Sequence, residues 1–370
     1  MTKKIGGNCA VLQHGTVMAQ RNGLFNYYAW PSIVRLPNDS LMVACSGGRM
    51  AHVDPFGQIV ASYSYDEGKT WTSPAVVYDS PLDDRDAGLC VQGGKIYLTS
   101  FTNSRATQRA HISNEPWLSK EQVQLMHAYL GLITDEVERE NLNAFYVVSS
   151  DGGKNFANKR AVLLTAPHGM IPLADGRMLF VGAAFRDDAV HRSSDLEPGI
   201  YRAFLSPEGD WSEPIPFVFS NTNGLDFYEP HGFQLPNGRI VVAVRAQNES
   251  GSIFTVWQSI SDDGGATFTD PKPLDVDGSP PHLMVHSSGA LVLSYGRRKP
   301  PFGICARISW DNGLTYGEEI VLRNDGLDPD IGYPATVELK DGTLMTVYYF
   351  RTSYDVPGSD ILYTKWRIDQ

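Results

Sequence analysis

Six places in this 370-residue chain set a residue able to do chemistry at one fixed distance before a tight turn. Counting eight residues back from Ser40, Gly94, Gly176, Gly238, Gly289 and Gly342 reaches Trp30-Pro31-Ser32, Arg85-Asp86, Pro167-His168, Glu229-Pro230-His231, Pro281-His282 and Tyr333-Pro334. Counting seven to ten residues past the same turns reaches Arg49, Arg186, Arg245, Arg297 with Arg298, and Arg351. Guanidinium groups grip carboxylate, sulfate or phosphate through a planar fork. Imidazole titrates near pH 6.5, and a sheltered carboxyl serves as acid or base. Brought to one place, these side chains would hold a small anion, with an acidic sugar the best-fitting class. Trp30, Phe227 and Tyr228 are of a type that stacks on a sugar ring.

The elements that would bring them together are repeats. Each turn is followed by an apolar, β-branched run, as in LPNDSLMVA (36–44), LADGRMLFV (173–181), LPNGRIVVA (235–243) and LKDGTLMTV (339–347). Asn-Gly, Asp-Gly and Gly-Gly supply the geometry of tight hairpins. The turns are spaced as the four-stranded blades of a β-propeller would be, apart from one long step between Gly94 and Gly176. In a propeller the innermost strand of each blade lines the channel. Its first residues reach one rim, the turn lies at the far end, and the next strand climbs back. Both sets of residues would therefore meet on that rim.

A second repeat, Ser-x-Asp-x-Gly-x-Thr-aromatic, runs out of phase with the first. Its copies are SYDEGKTW (64–71), SSDGGKNF (149–156), SDDGGATF (261–268) and SWDNGLTY (309–316), with a degenerate SPEGDW at 206–211. These Asp-boxes are read as structural: the aspartate bonds the amides of its own turn and glycine takes the left-handed position. The long step predicts a helical insertion over about 103–143, between blades 2 and 3, with Ser119 and Gln122 as a capping box. It could wall the site or mediate a homo-oligomer contact. Residues 1–370 are read as one domain, the ring closing by pairing 8–18 with 361–368.

Composition narrows the partners. With 31 Lys+Arg against 42 Asp+Glu the formal net charge is −11, which argues against nucleic acid. No stretch approaches a membrane span, and the N-terminal MTKKIGGNCAVLQHG lacks the apolar run of a signal peptide, so a soluble cytoplasmic protein is expected. Cys9, Cys45, Cys90 and Cys305 are scattered and read as buried thiols. No cofactor is expected. The expected partner is a small-molecule or oligosaccharide substrate.

The four Asp-boxes and the sixfold hairpin repeat, over about residues 25–350, resemble the sialidases, which implies an all-β, six-bladed β-propeller of the sialidase type. EPHGFQLPNGRIVVAVR (229–245) is similar to the family segment in which a glutamate opens an inner strand and an arginine ends the next, giving Glu229 and Arg245. GYPATVELKDGTLMTVYY (332–349) is similar to the segment with the family's tyrosine nucleophile, giving Tyr333. RMAHVDPFGQIVASYSYDEGKTW (49–71) resembles the loop with the family's acid/base aspartate, giving Asp54. One departure is plain: sialidases open blade 1 with Tyr-Arg-Ile-Pro or similar, whereas this chain reads Tyr28-Ala29-Trp30-Pro31, with alanine in the place of the first of three carboxylate-binding arginines.

The resemblance implies an exo-acting glycoside hydrolase on an anionic sugar, with Tyr333 as nucleophile, Glu229 as its base and Asp54 as acid/base. Arg245, Arg297, Arg298, Arg49, His52, Asp86, His168, His231, His282, Trp30, Arg186 and Arg351 form the expected substrate-binding set. Three other readings stand beside it. A uronate-directed lyase or rhamnosidase-like enzyme would use His168, His231 or His282 as acid or base. A metal site would use those histidines with Asp86, although the local spacing of metal motifs is absent. A non-catalytic glycan-binding propeller would explain the missing arginine.

Overall fold

The computed structural model describes residues 3–4, 9–20, 22–185, 196–219, 224–351, 353 and 358–369. Within them the chain forms six antiparallel sheets that follow one another as the blades of a propeller. Blade 1 runs Tyr27–Arg35, Leu41–Arg49, Gln58–Ser64 and Ala75–Tyr78 from the channel outward. The innermost strands of blades 2, 4, 5 and 6 are Asp83–Gln92, Asp226–Gln234, Pro281–Val285 and Gly332–Glu338. In blade 3 the inner edge is broken into two short pieces, Leu164–Thr165 and Ile171–Pro172, both paired with Met178–Ala184. The ring closes as the repeats require: Cys9–Met18 pairs with Asp360–Ile368, adding the N-terminal strand outside the C-terminal one in blade 6.

The core follows from that arrangement. A pleated strand buries alternate residues on two faces, and a blade has a neighbour on each side. Six apolar clusters accordingly fill the six gaps between successive blades. Trp366 fills the gap between blades 5 and 6, fully buried, with its indole N–H donating to Thr346 Oγ1 at 2.9 Å.

Each of the four Asp-boxes turns the third strand of its blade into the fourth. In the first, Asp66 accepts from the Thr70 amide at 2.9 Å and the Thr70 hydroxyl at 2.7 Å, while the Gly68 amide donates to Ser64 Oγ at 2.8 Å. The second copy keeps the closure despite its substitution, because Asn155 Nδ2 donates to Asp151 at 2.7 Å in place of the threonine hydroxyl. Gly68, at φ +74°, docks on blade 6: an added Cβ would lie 2.2 Å from Met345 Cε. All four boxes sit at the end of the ring opposite the rim residues, so their role is architectural.

The insertion holds three helices, α1 (Arg105–Ile112), α2 (Lys120–Leu132) and α3 (Asp135–Asn141), and the Ser119–Gln122 capping box forms. Its position differs from the expected one. It joins the second and third strands of blade 2, Lys95–Asn103 and Ala144–Ser149, and so interrupts that blade instead of following it. The reason is that the Asp-box at 149–156 belongs to blade 2. The connection between second and third strands emerges on the rim, so the helices stand beside the channel mouth, packing Met126 and Leu130 with Met50, Ala51 and Leu82 of the blade 1–2 loops in one apolar cluster.

Candidate active site

The inner strands are not regular where they reach the rim. In four blades the pairing with the second strand slips by one or more residues, between Ala29 and Ser32, Arg85 and Gly88, Tyr228 and His231, and Gly332 and Ala335. At each slip one non-glycine residue takes a left-handed backbone: Trp30 (φ 55°), Asp86 (φ 58°), Glu229 (φ 51°) and Tyr333 (φ 48°). Such residues cost of order 1–3 kcal/mol each and collect at functional sites. A bulge also re-aims the side chain it carries. In three of the four the next residue is proline (Pro31, Pro230, Pro334), which has no N–H to give the ladder, so the local sequence itself imposes the break.

The re-aimed side chains meet. The Tyr333 hydroxyl donates to Glu229 Oε1 in a short hydrogen bond, and Arg245 Nη1 donates to Glu229 Oε2 at 2.7 Å. Burial pushes the Glu229 carboxyl up, but Arg245, Arg298 and the tyrosine hydroxyl outweigh it and hold it below the usual glutamate value. Burial, then the Glu229 charge, push the Tyr333 phenol well above its ordinary value. The Arg298 guanidinium lies 5.4 Å from the Tyr333 ring centroid, donates to the Ile331 carbonyl at 3.1 Å and reaches the Tyr349 hydroxyl at 3.4 Å. Asp86 is buried at 8% exposure, and its charge acts on both Glu229 and Tyr333. Burial raises its carboxyl to about 7, against the pull of Arg85.

Beneath this layer three imidazoles pack together. His231 and His282 stack with centroids 4.3 Å apart, and His168 meets them edge-on at 5.4 and 5.1 Å. His231 Nδ1 accepts the Leu283 amide at 2.9 Å and His282 Nδ1 accepts the Thr336 amide at 3.4 Å. A ring nitrogen that accepts an N–H carries no proton, so both rings are neutral with hydrogen on Nε2. Burial lowers the affinity of all three for a proton, His168 to about 3. Rings held with hydrogen on Nε2 offer no lone pair there for a metal, and among the described residues no group of three or more His, Cys, Asp or Glu is arranged to hold one.

Comparisons with known proteins bear on the fold that carries this geometry. A family model described as "BNR repeat-like domain" matches residues 107–346. The chain belongs to this family. Among solved structures, a protein of unknown function from Dyadobacter fermentans superposes with a TM-score of 0.75 at 24% identity, covering 98% of this chain and 99% of that one. The NanB sialidase of Streptococcus pneumoniae (K499G mutant) gives 0.65 at 12% identity, covering 95% and 70%. The α-L-arabinanase of Penicillium chrysogenum, complexed with arabinobiose, gives 0.62 at 15% identity, covering 95% and 98%. No curated protein matches. At these identities the likeness to the solved structures is one of fold: the six-bladed propeller that sialidases and an arabinanase use.

Within this BNR repeat-like propeller, several expected residues sit elsewhere. Asp54 is fully buried, its two oxygens accepting the Met50 and Phe56 amides of its own loop at 2.6 and 2.8 Å, and burial raises its carboxyl to about 6. It staples the loop and presents no oxygen to the channel. Arg297 points away from the channel to Glu319 (2.8 Å) and the Pro301 carbonyl, leaving Arg298 as the arginine of that strand end which faces the site. Arg49 is fully buried against Asp83 at 2.7 Å, with its guanidinium 4.8 Å from the Trp30 ring centroid. Arg85, read from the sequence only as the neighbour of Asp86, covers Trp30 at 4.0 Å. Arg351 pairs with Asp328 at 3.0 Å, to one side of the channel. Arg186 lies outside the described residues.

The expected His52 joins a cluster whose centre, Asp330, had no sequence signal. Asp330 accepts from the Tyr27 and Tyr349 hydroxyls at 2.7 and 2.9 Å and lies 3.2 Å from His52 Nδ1. Burial would raise its carboxyl, yet His52, Tyr27 and Arg298 hold it well below the usual range. Asp330 sits in an irregular loop, where no periodicity marks it.

Proposed function

We propose that the protein is a glycoside hydrolase that releases an anionic sugar, with Tyr333 as nucleophile, Glu229 as its base, Asp86 as acid/base, and Arg245 and Arg298 holding the anion. The observation that carries this reading is the Glu229 carboxylate bridging the Tyr333 hydroxyl and Arg245, with both Glu229 and Tyr333 held in left-handed backbone. A phenol is a poor nucleophile until a base takes its proton. An anion that draws Arg245 and Arg298 toward itself weakens their hold on Glu229, and the carboxylate becomes a stronger base when substrate is present.

In the first step Tyr333 oxygen attacks the anomeric carbon and its proton passes to Glu229. The bond to the leaving oxygen breaks, and that oxygen takes the proton of Asp86. In the second step the Asp86 carboxylate takes a proton from water, the water oxygen attacks the anomeric carbon, and Tyr333 leaves and recovers its proton from Glu229. Asp86 suits this part better than Asp54, since its charge acts on Glu229 and Tyr333, whereas both Asp54 oxygens accept amides of their own loop. The lyase reading finds little support in His231 and His282: their Nδ1 lone pairs are occupied and their Nε2 atoms already carry hydrogen.

The test is a panel of aryl glycosides and acidic oligosaccharides, including sialic acid, 2-keto-3-deoxy acid, uronate and rhamnosyl-uronate substrates, run beside Tyr333→Phe and His231→Ala. Release of a sugar that falls by at least about 10³-fold in Tyr333→Phe supports the reading. Turnover that survives Tyr333→Phe, fails in His231→Ala and yields an unsaturated uronate overturns it.

A further inference from the structure

The surroundings of Arg245 come from one face of blade 4. Side chains two apart on a strand share a face, so Gln247 stands beside Arg245 on the second strand, Ile240–Gln247. Tyr228 is paired opposite Arg245 on the inner strand, and Phe254 opposite Gln247 on the third. Gln247 Oε1 accepts from Arg245 Nε at 3.0 Å and from Nη2 at 2.5 Å, while Nη1 donates to Glu229 Oε2 at 2.7 Å. The Phe254 and Tyr228 ring centroids lie 4.6 and 5.6 Å from the guanidinium carbon. Nε has a single N–H and each terminal nitrogen has two, so one N–H on each terminal nitrogen is left for a ligand.

The acceptor on the Nε and Nη2 edge carries no charge. Glu229 is the one carboxylate paired with Arg245 among the described residues, and it also accepts from Tyr333. A carboxylate at position 247 would have the same length and could accept the same two hydrogens. It would, however, divide the guanidinium charge between two resident anions, and an incoming anion would have to compete with both. Arg298 stands against the same Phe254 ring at 5.7 Å, so a negative charge brought to this position would act on both cations. The amide fixes the guanidinium and leaves its charge to Glu229 and the ligand.

We infer that Gln247 is a positioning residue whose neutral amide sets the preference of the site for anionic over neutral sugars. The inference rests on the reading of Arg245 as a holder of the anion. It places a determinant of selectivity outside the reacting groups, two residues along the strand from the arginine it governs.

The test is calorimetric titration of the full chain with sialic acid, a 2-keto-3-deoxy acid and glucuronic acid, each beside its methyl ester, the same sugar without the charge. The wild type is expected to bind at least one acid more tightly than its ester by at least about tenfold. Gln247→Glu keeps both hydrogen bonds and adds one charge, and should lower that acid-to-ester ratio by at least about tenfold. Gln247→Met removes the acceptor and adds no charge, and should keep the ratio within about threefold of the wild type. Melting temperatures serve as the folding control. A wild type that prefers no acid over its ester, a ratio that Gln247→Glu leaves intact, or one that falls as far in Gln247→Met overturns the inference. Failure of the glycosidase reading is seen separately, as absence of aryl glycoside hydrolysis by a wild-type chain whose preference for the acid is still lost in Gln247→Glu.

Discussion

Replacing Asp86 by asparagine separates the acid/base assignment from its rivals. Asparagine tolerates the left-handed backbone that Asp86 adopts, so the bulge survives while the titrating proton is lost. Burial raises the Asp86 carboxyl from 3.8 to about 7, which corresponds to about 4 kcal/mol in favour of the protonated form in the folded chain. A carboxyl raised in the folded state contributes stability that is fully present below 3.8 and is lost as pH rises through about 7. Asp86→Asn does not suffer that loss. The variant should match the wild type near pH 4 and exceed it at pH 8 by up to about 4 kcal/mol, measured by urea unfolding across that range. Activity should move the other way. The wild-type kcat/KM should fall above about pH 7, where Asp86 loses its proton. The variant should lack that alkaline limb and lose about 10²–10⁴-fold on glycosides with poor leaving groups, much less on activated aryl glycosides. An alkaline limb near pH 7 that persists in Asp86→Asn, or a stability that tracks the wild type from pH 4 to 8, would refute the assignment.

Asp54→Asn leaves one of the Met50 and Phe56 amides without an acceptor, so it should cost about 1–3 kcal/mol in chemical denaturation. A loss of turnover beyond about 10²-fold with stability unchanged would instead restore Asp54 as the acid/base. Long-range nitrogen–proton NMR of labelled protein should find His231 and His282 as Nε2–H tautomers with no titration between about pH 5 and 8, since protonating Nδ1 breaks the backbone bond each accepts. A titration near pH 6.5 in either ring would undo that assignment and revive the histidine-based lyase.

The ring was legible in the residues alone. Six turn-plus-strand units, four Asp-boxes and a closing strand at each terminus repeat, and a repeat that buries its faces only against copies of itself has little choice of architecture. Arithmetic on the same repeats placed Trp30, Asp86, Glu229 and Tyr333 at equivalent rim positions, and Pro31, Pro230 and Pro334 in the sequence already carry the cause of the bulges found there. For Asp54 the motif shows which loop the residue belongs to, not which way it points: its carboxylate turns inward to cap the loop's own amides. Folding settles which of Arg297 and Arg298 turns inward: Arg297, the last strand residue, pairs with Glu319, while Arg298 just beyond the strand reaches the Ile331 carbonyl and the Tyr349 hydroxyl. It likewise assembles Asp330 with Tyr27, Tyr349 and His52, drawn from an irregular loop and from blades 1 and 6. Contacts between residues distant in the chain leave no periodic trace. They exist only once the ring has closed.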